Sequence, residues 1–158
     1  MTINDRVIRP AAEADAEAAS NVVAVTVRES NARDYSRDIV EMVVADSAPE
    51  RMQAMIRDGD FFIAEGNGEI MGVAGLIEGT LRRCFVLPAV QGKGIGRELL
   101  SAIERTAFRK GLSVLRVNSS LTATGFYERL GFVSEGEDSH NGTRFVKMNK
   151  VLPVDKVS

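Results

Sequence analysis

The chain has 158 residues, 44% of them apolar and 27% charged, a balance that predicts one globular domain over residues 1–158 and excludes an extensively disordered chain. Lysine and arginine number 20 against 22 acidic residues, a net charge of −2, so no global positive field exists to hold nucleic acid or anionic lipid, and any anion must be bound locally. A single cysteine (Cys84) and a single histidine (His140) exclude an internal disulfide and a Cys-rich zinc site, no metal is expected, and no apolar run approaches the roughly 18 residues of a membrane span. A reducing, cytoplasmic setting is therefore expected. In chain order, an apolar strand at Val7–Arg9 meets Pro10, and Ala19, Val22, Val23, Thr26 and Val27 recur at helical spacing behind it. A short second helix follows Ser36, with Ile39, Met42 and Val43 on one face, and Ser47 with Glu50 has the spacing of a capping box for a third that ends at Gly59. The methionines at 42, 52, 55 and 71 all fall on core-type positions.

From Phe61 the hydrophobic period changes. Phe61–Glu65, a turn at Gly66-Asn67-Gly68 and the stretch from Glu69 predict a β-hairpin, followed by a strand at Leu81–Leu87. Ile95, Leu99, Ile103 and Ala107 then repeat every four residues up to Gly111, the signature of a long helix. Val114–Val117 reads as a strand and Ala123–Leu130 as a short helix closed by Gly131. Phe132–Glu135 and Thr143–Met148 read as a last hairpin around His140-Asn141-Gly142. The order predicts a mixed α/β chain with three successive antiparallel strands and one strand, helix, strand crossover. Only the ends, residues 1–4 and 153–158, are expected to fray.

The segment Gln91-Gly92-Lys93-Gly94-Ile95-Gly96-Arg97 joins a strand to the start of the long helix. Glycines let a ligand approach the backbone, and a helix N-terminus offers unpaired N–H groups with a partial positive charge, so this turn is suited to phosphate oxygens. It is not a nucleotide-hydrolysing P-loop, because Gly94 stands where a serine or threonine would hold magnesium, and its Gly-x-Gly-x-Gly spacing differs from the dinucleotide fingerprint. Gln91-Gly92-Lys93-Gly94-Ile95-Gly96 resembles instead the acyl-CoA signature Gln/Arg-x-x-Gly-x-Gly/Ala of the GNAT superfamily of N-acetyltransferases. Phe126-Tyr127-Glu128-Arg129-Leu130-Gly131-Phe132, after the next strand, is similar to that family's Phe-Tyr-x-x-x-Gly-Phe segment. Together the two motifs make a resemblance that covers Val7 to about Val151.

The resemblance implies a GNAT-type fold, a mixed, mostly antiparallel sheet splayed at its central strands with helices on both faces. It also implies transfer of an acetyl group from acetyl-CoA, as co-substrate, to a primary amine of a small-molecule or peptide acceptor, directly within a ternary complex. Backbone groups of Phe85, Val86 and Leu87 would pair with the pantetheine arm, and the amides from Gln91 to Arg97, through Gly92, Lys93, Gly94, Ile95 and Gly96, would hold the pyrophosphate. Phe126 and Asn118 are further cofactor contacts, with Thr122 and Ser119 weaker ones. Tyr127 stands where the family keeps its acid, and its phenol, with a reference pKa of about 10, stays protonated at neutral pH while the departing thiol, at about 8.5, takes a proton. A backbone N–H near Val86 or Leu87 is the implied oxyanion donor.

Many relatives carry a glutamate base on the strand before the glycine turn, but here that strand reads Leu81-Arg82-Arg83-Cys84-Phe85-Val86, without an acid. Glu78 acting through water, or bulk solvent, are the routes left for deprotonating the amine. Cys84 reads as a small buried hydrophobe and His140 as a solvated turn residue. The run Arg28–Asp38 carries Glu29, Asp34 and Asp38, which suit a cationic amine, although arginines alternate with them. A homodimer is admitted by the habit of relatives. The alternative reading is a non-catalytic acyl-CoA-binding or sensing module, which would use the glycine turn without needing Tyr127.

Overall fold

The computed structural model describes residues 5–153, so the fraying expected at the ends falls, Pro153 apart, outside the described residues. β1 (Val7–Pro10) leads through a 3-10 turn into α1 (Ala16–Glu29), whose Ala19, Val22, Val23, Thr26 and Val27 stripe is buried as the spacing predicts. Asp15 fixes the entry to this helix. Its carboxylate accepts from the Ala12 amide at 2.7 Å and stands 3.0 Å from Arg9, whose guanidinium holds the carboxyl below its usual range.

α2 (Arg37–Asp46) begins at Ser36, whose Oγ accepts from the Ile39 amide, but its buried residue is Val40. Met42 is 38% exposed. The helix forms as the spacing predicts and Val43 packs against the core, but the core-type reading of Met42 is corrected: one flank of this short helix opens on a cleft that Ile39 and Met42 line. Met52 and Met71 are core residues as expected. α3 (Pro49–Asp58) starts after Ala48, with Pro49 preset for the first turn. The expected capping box does not form, because Ser47 is buried and its Oγ accepts from Arg83 Nε at 2.9 Å.

β2 (Asp60–Gly66), β3 (Glu69–Ile77), β4 (Thr80–Val86), β5 (Val114–Ser119), β6 (Val133–His140) and β7 (Thr143–Val151) join β1 in a seven-stranded sheet ordered β1-β2-β3-β4-β5-β7-β6. Every pairing is antiparallel except β4 with β5. Both predicted hairpins turn on Asn-Gly pairs with positive φ, at Asn67-Gly68 and Asn141-Gly142. α4 (Ile95–Arg109) makes the crossover from β4 to β5, and α5 (Thr124–Arg129) follows β5. α4 and α5 bury one sheet face, while α1 to α3 bury the other around Val23, Met52 and Ile63. This is the mixed, mostly antiparallel sheet with helices on both faces that the motifs imply. Among the described residues no helix is long and apolar enough to cross a membrane.

The strands that matter for the site part company early. β4 and β5 pair only at Thr80↔Arg116 and Leu81↔Val117. Beyond that point Arg83, at φ 53, and Cys84 share a bulge where the register with β3 shifts between Val73 and Gly75. A bulge bends its strand and re-aims its side chains, so β4 leans away from β5 and leaves a wedge between them.

Candidate active site

The wedge opens into a cleft of about 1170 Å³ walled by Arg82 to Val86 on β4, the glycine turn, Asn118 on β5, the first turns of α5 and the open flank of α2. At its β4 end the chain makes a 3-10 turn at Pro88–Val90 and then runs through Gly92 (φ 80) and Gly94 (φ 87) into α4. Those left-handed conformations require glycine. The first helical hydrogen bond is Glu98 N–H to the Gly94 carbonyl at 3.0 Å, and the amides from Gly92 to Arg97 donate to no acceptor among the described residues. Arg6 braces the turn from behind: its Nη2 donates to the Lys93 carbonyl at 2.9 Å, and the same guanidinium pairs with Glu98. The turn is therefore a fixed row of free donors at a helix N-terminus, the arrangement that receives phosphate oxygens.

Strand alternation sorts the three backbone positions expected to meet a pantetheine arm. Leu87 N–H donates to the Met71 carbonyl at 2.9 Å, which makes Gly72↔Val86 the next, non-hydrogen-bonded pair of the ladder. Val86 accordingly turns its peptide groups toward the wedge, and its carbonyl accepts from Gln91 Nε2 at 2.9 Å and Thr26 Oγ1 at 3.3 Å. Phe85, opposite Val73, and Leu87 turn theirs toward β3. Of the two oxyanion donors considered, Leu87 N–H is already engaged and Val86 is the one facing the wedge. Phe85 contributes its side chain to the cleft wall, whereas Leu87 and Lys93 do not line it.

Tyr127 is 5% exposed, wedged edge-on between Phe126 and Phe132 with ring centroids 5.1 and 5.4 Å away. Phe126 in turn rests on Gly96, where a Cβ would come within 2.9 Å of its ring. The Tyr127 hydroxyl and the Cys84 thiol are interacting neighbours, a partnership that reading Cys84 as an inert hydrophobe overlooked. Burial, then that neighbour, raise the phenol well above its ordinary value of 10.0, and burial pushes the Cys84 thiol up to about 11. Asn118 lines the cleft.

Glu78 is not brought to this site. It sits exposed at φ 50 in the turn between β3 and β4, at the end of β4 remote from the glycine turn, and does not line the cleft. Thr122 is engaged by Asp34 at 2.7 Å. Glu29, Asp34 and Asp38 do not line the cleft either. The segment between α1 and α2 contributes Asn31, Arg33 and Tyr35 to it instead. Tyr35, which sequence reasoning missed, closes the cleft mouth: its hydroxyl donates to the Arg144 carbonyl at 2.7 Å and accepts from the Leu121 amide at 2.8 Å. No local pattern marks such a bridge, because its ends lie 86 and 109 residues away in sequence.

This geometry can be set beside known proteins. The family described as Acetyltransferase (GNAT) domain matches residues 12–152. The chain belongs to the GNAT acetyltransferase family. It is similar to an IAA acetyltransferase of Azospirillum brasilense, 32% identical in an 85-residue alignment that covers 48% of this chain and 56% of that protein. It spans about half the length of the curated relatives it matches. Among solved structures, a GCN5-related N-acetyltransferase from Rhodopseudomonas palustris superposes with a TM-score of 0.87 at 25% identity, covering 96% of this chain and 99% of that one. YncA from Salmonella typhimurium, solved with acetyl-CoA, superposes with a TM-score of 0.65 at 25% identity, covering 98% of each chain. This GNAT domain thus has its glycine turn and its Phe-Tyr segment lining one wedge.

Proposed function

We propose that this GNAT domain is a single-domain, acetyl-CoA-dependent N-acetyltransferase that moves the acetyl group directly to a primary amine in a ternary complex. The observation that carries the reading is the row of unpartnered amides from Gly92 to Arg97 opening onto the same wedge as the Tyr127 phenol. The residues present fit the cofactor: nothing stands within 4 Å of where a Gly92 Cβ would be, so the backbone can meet a diphosphate directly. Local dipoles thereby let a chain of net charge −2 hold a polyanion. The neighbour solved with acetyl-CoA supports the same cofactor.

Bound acetyl-CoA supplies the activated acetyl carbonyl. The chain's own groups then have separate tasks. The amides of Gly92 to Arg97 with Arg97 itself anchor the diphosphate, Val86 aligns the arm and aims its N–H at the carbonyl oxygen, and Phe126 and Asn118 line the passage. Tyr127 holds a proton at its hydroxyl for the departing sulfur. Cys84 with its thiol near 11 is only about one part in ten thousand thiolate at pH 7, which disfavours an acyl-cysteine and favours direct transfer. Glu78 lies outside the cleft, which favours solvent over that residue as the route for deprotonating the amine.

Incubation with acetyl-CoA and a panel of amines, amino acids, polyamines and peptides tests this by release of free thiol. The expected result is thiol release matched by acetylated amine for one acceptor class. CoA binding without thiol release across the panel would favour the acyl-CoA-binding module instead.

A further inference from the structure

We propose that the acceptor of this site is an amine that also carries a carboxylate and an apolar body, the chemistry of an apolar α-amino acid, with Arg82 and Arg83 binding the carboxylate. The inference rests on the transferase reading and names the substrate class of that same cleft. Both arginines line the cleft on β4, and neither they nor Arg33, across the cleft mouth, stand within 4.0 Å of a carboxylate among the described residues. Arg83 is half-buried, and its partners are neutral: the Ser47 hydroxyl at 2.9 Å and the Asp46 carbonyl at 3.4 Å. Burial and the neighbouring Arg82 lower its pKa, while Asp46 offsets this only in part. A desolvated guanidinium without a counter-ion is costly, and a planar carboxylate is the group it fits best.

The cofactor does not supply that anion. At roughly 3.3 Å per residue, and less across the bulge, the Arg82 Cα lies up to about 13 Å from Val86 with the glycine turn farther on, away from a diphosphate held there. Arg82 is instead two residues from Cys84, the neighbour of the Tyr127 hydroxyl, so its Cα lies within about 7 Å, along the strand, of the reacting end of the wedge. An arginine side chain is long enough to cover that span, which suits an acceptor whose amine and carboxylate are close together, as in an α-amino acid. In the same cleft, Ile39 and Met42 on the open flank of α2 provide apolar surface for a side chain. Two carboxylates do line the cleft: Asp46 beside Arg83, and Asp138 at 3.8 Å from Lys147. Glu29, Asp34 and Asp38, which would have drawn a polycationic amine, stay outside.

The test is calorimetric binding of acetylated products to the CoA-saturated protein, read alongside turnover. N-acetyl-L-methionine is expected to bind at least about tenfold tighter than N-acetyl-L-methioninamide, and tighter than N-acetylglycine, since charged hydrogen bonds contribute on that scale. Arg82→Gln, a change at an exposed side chain, should shrink the distinction between acid and amide severalfold while leaving the melting temperature and CoA affinity unchanged. Equal binding of acid and amide, tighter binding of N-acetylspermidine, or an undiminished distinction in Arg82→Gln overturns the inference. Fast turnover of amides or polyamines would also overturn it while upholding the transferase. A carboxylate preference in binding without thiol release from any amine would uphold it while the transferase reading fails.

Discussion

The phenol of Tyr127 is kept in its proton-bearing form by its surroundings. Burial disfavours the phenolate, and the neighbouring Cys84 thiol pushes in the same direction by charge and by hydrogen bonding. A raised pKa means the acid form persists until the pH exceeds that raised value, so alkaline conditions should not disarm it. With an acceptor whose amine is already neutral, kcat is expected to stay level between about pH 8 and 10, measured after subtracting spontaneous thioester hydrolysis. A decline centred near pH 9 would contradict this protonation state. At this scale the motifs made much of the site legible, because Gln91 to Arg97 and Phe126-Tyr127 are contiguous and their chemistry depends on local backbone. Phe85, Val86 and Leu87 could not be told apart that way. Which of them faces the wedge depends on the register of β4 against β3, a non-local fact. Arg83 was opaque for a similar reason, since a bulge turns its side chain toward Ser47.

At the scale of elements, the approach of α4 to α5 positions the site. Gly96 lets Phe126 lie against the first turn of α4, and Phe126 supports Tyr127 at 5.1 Å. A methyl group at 96 would stand 2.9 Å from the Phe126 ring, too close to be absorbed by a flexible chain end. Gly96→Ala gains up to about 1 kcal/mol of helix propensity but incurs about 1–3 kcal/mol of overpacking, so the overpacking prevails. The expected outcome is a melting temperature lower by a few degrees, about 2–4 °C per kcal/mol, together with weaker CoA binding. An unchanged melting curve would show that α5 yields freely. Helices and strands were largely legible from hydrophobic period, above all α4, with its four-residue repeat. The start of α3 and the inward face of α2 were not. Ser47 is recruited by an arginine 36 positions later, and Met42 is exposed by a wedge that no helical repeat records.

For the molecule as a whole, one sheet carries two cores, and the site is the place where that sheet fails to stay paired. β4 and β5 are adjacent and parallel, yet only two residue pairs join them, Thr80↔Arg116 and Leu81↔Val117. The glycine turn, the Val86 edge and Tyr127 all line the opening that results. The family fold was legible from two short motifs in the right order, whereas the acceptor end was not, because its walls come from α2, β4 and the last hairpin. The measurement that bears most directly on this account compares Tyr127→Phe with the native chain for both kcat and CoA affinity, with an acceptor found by thiol release. The substitution keeps the ring packing and removes only the hydroxyl. A general acid contributes about 10²–10⁴ in rate, so kcat is expected to fall by at least about a hundredfold while CoA affinity stays within about twofold. An unchanged kcat would contradict the account.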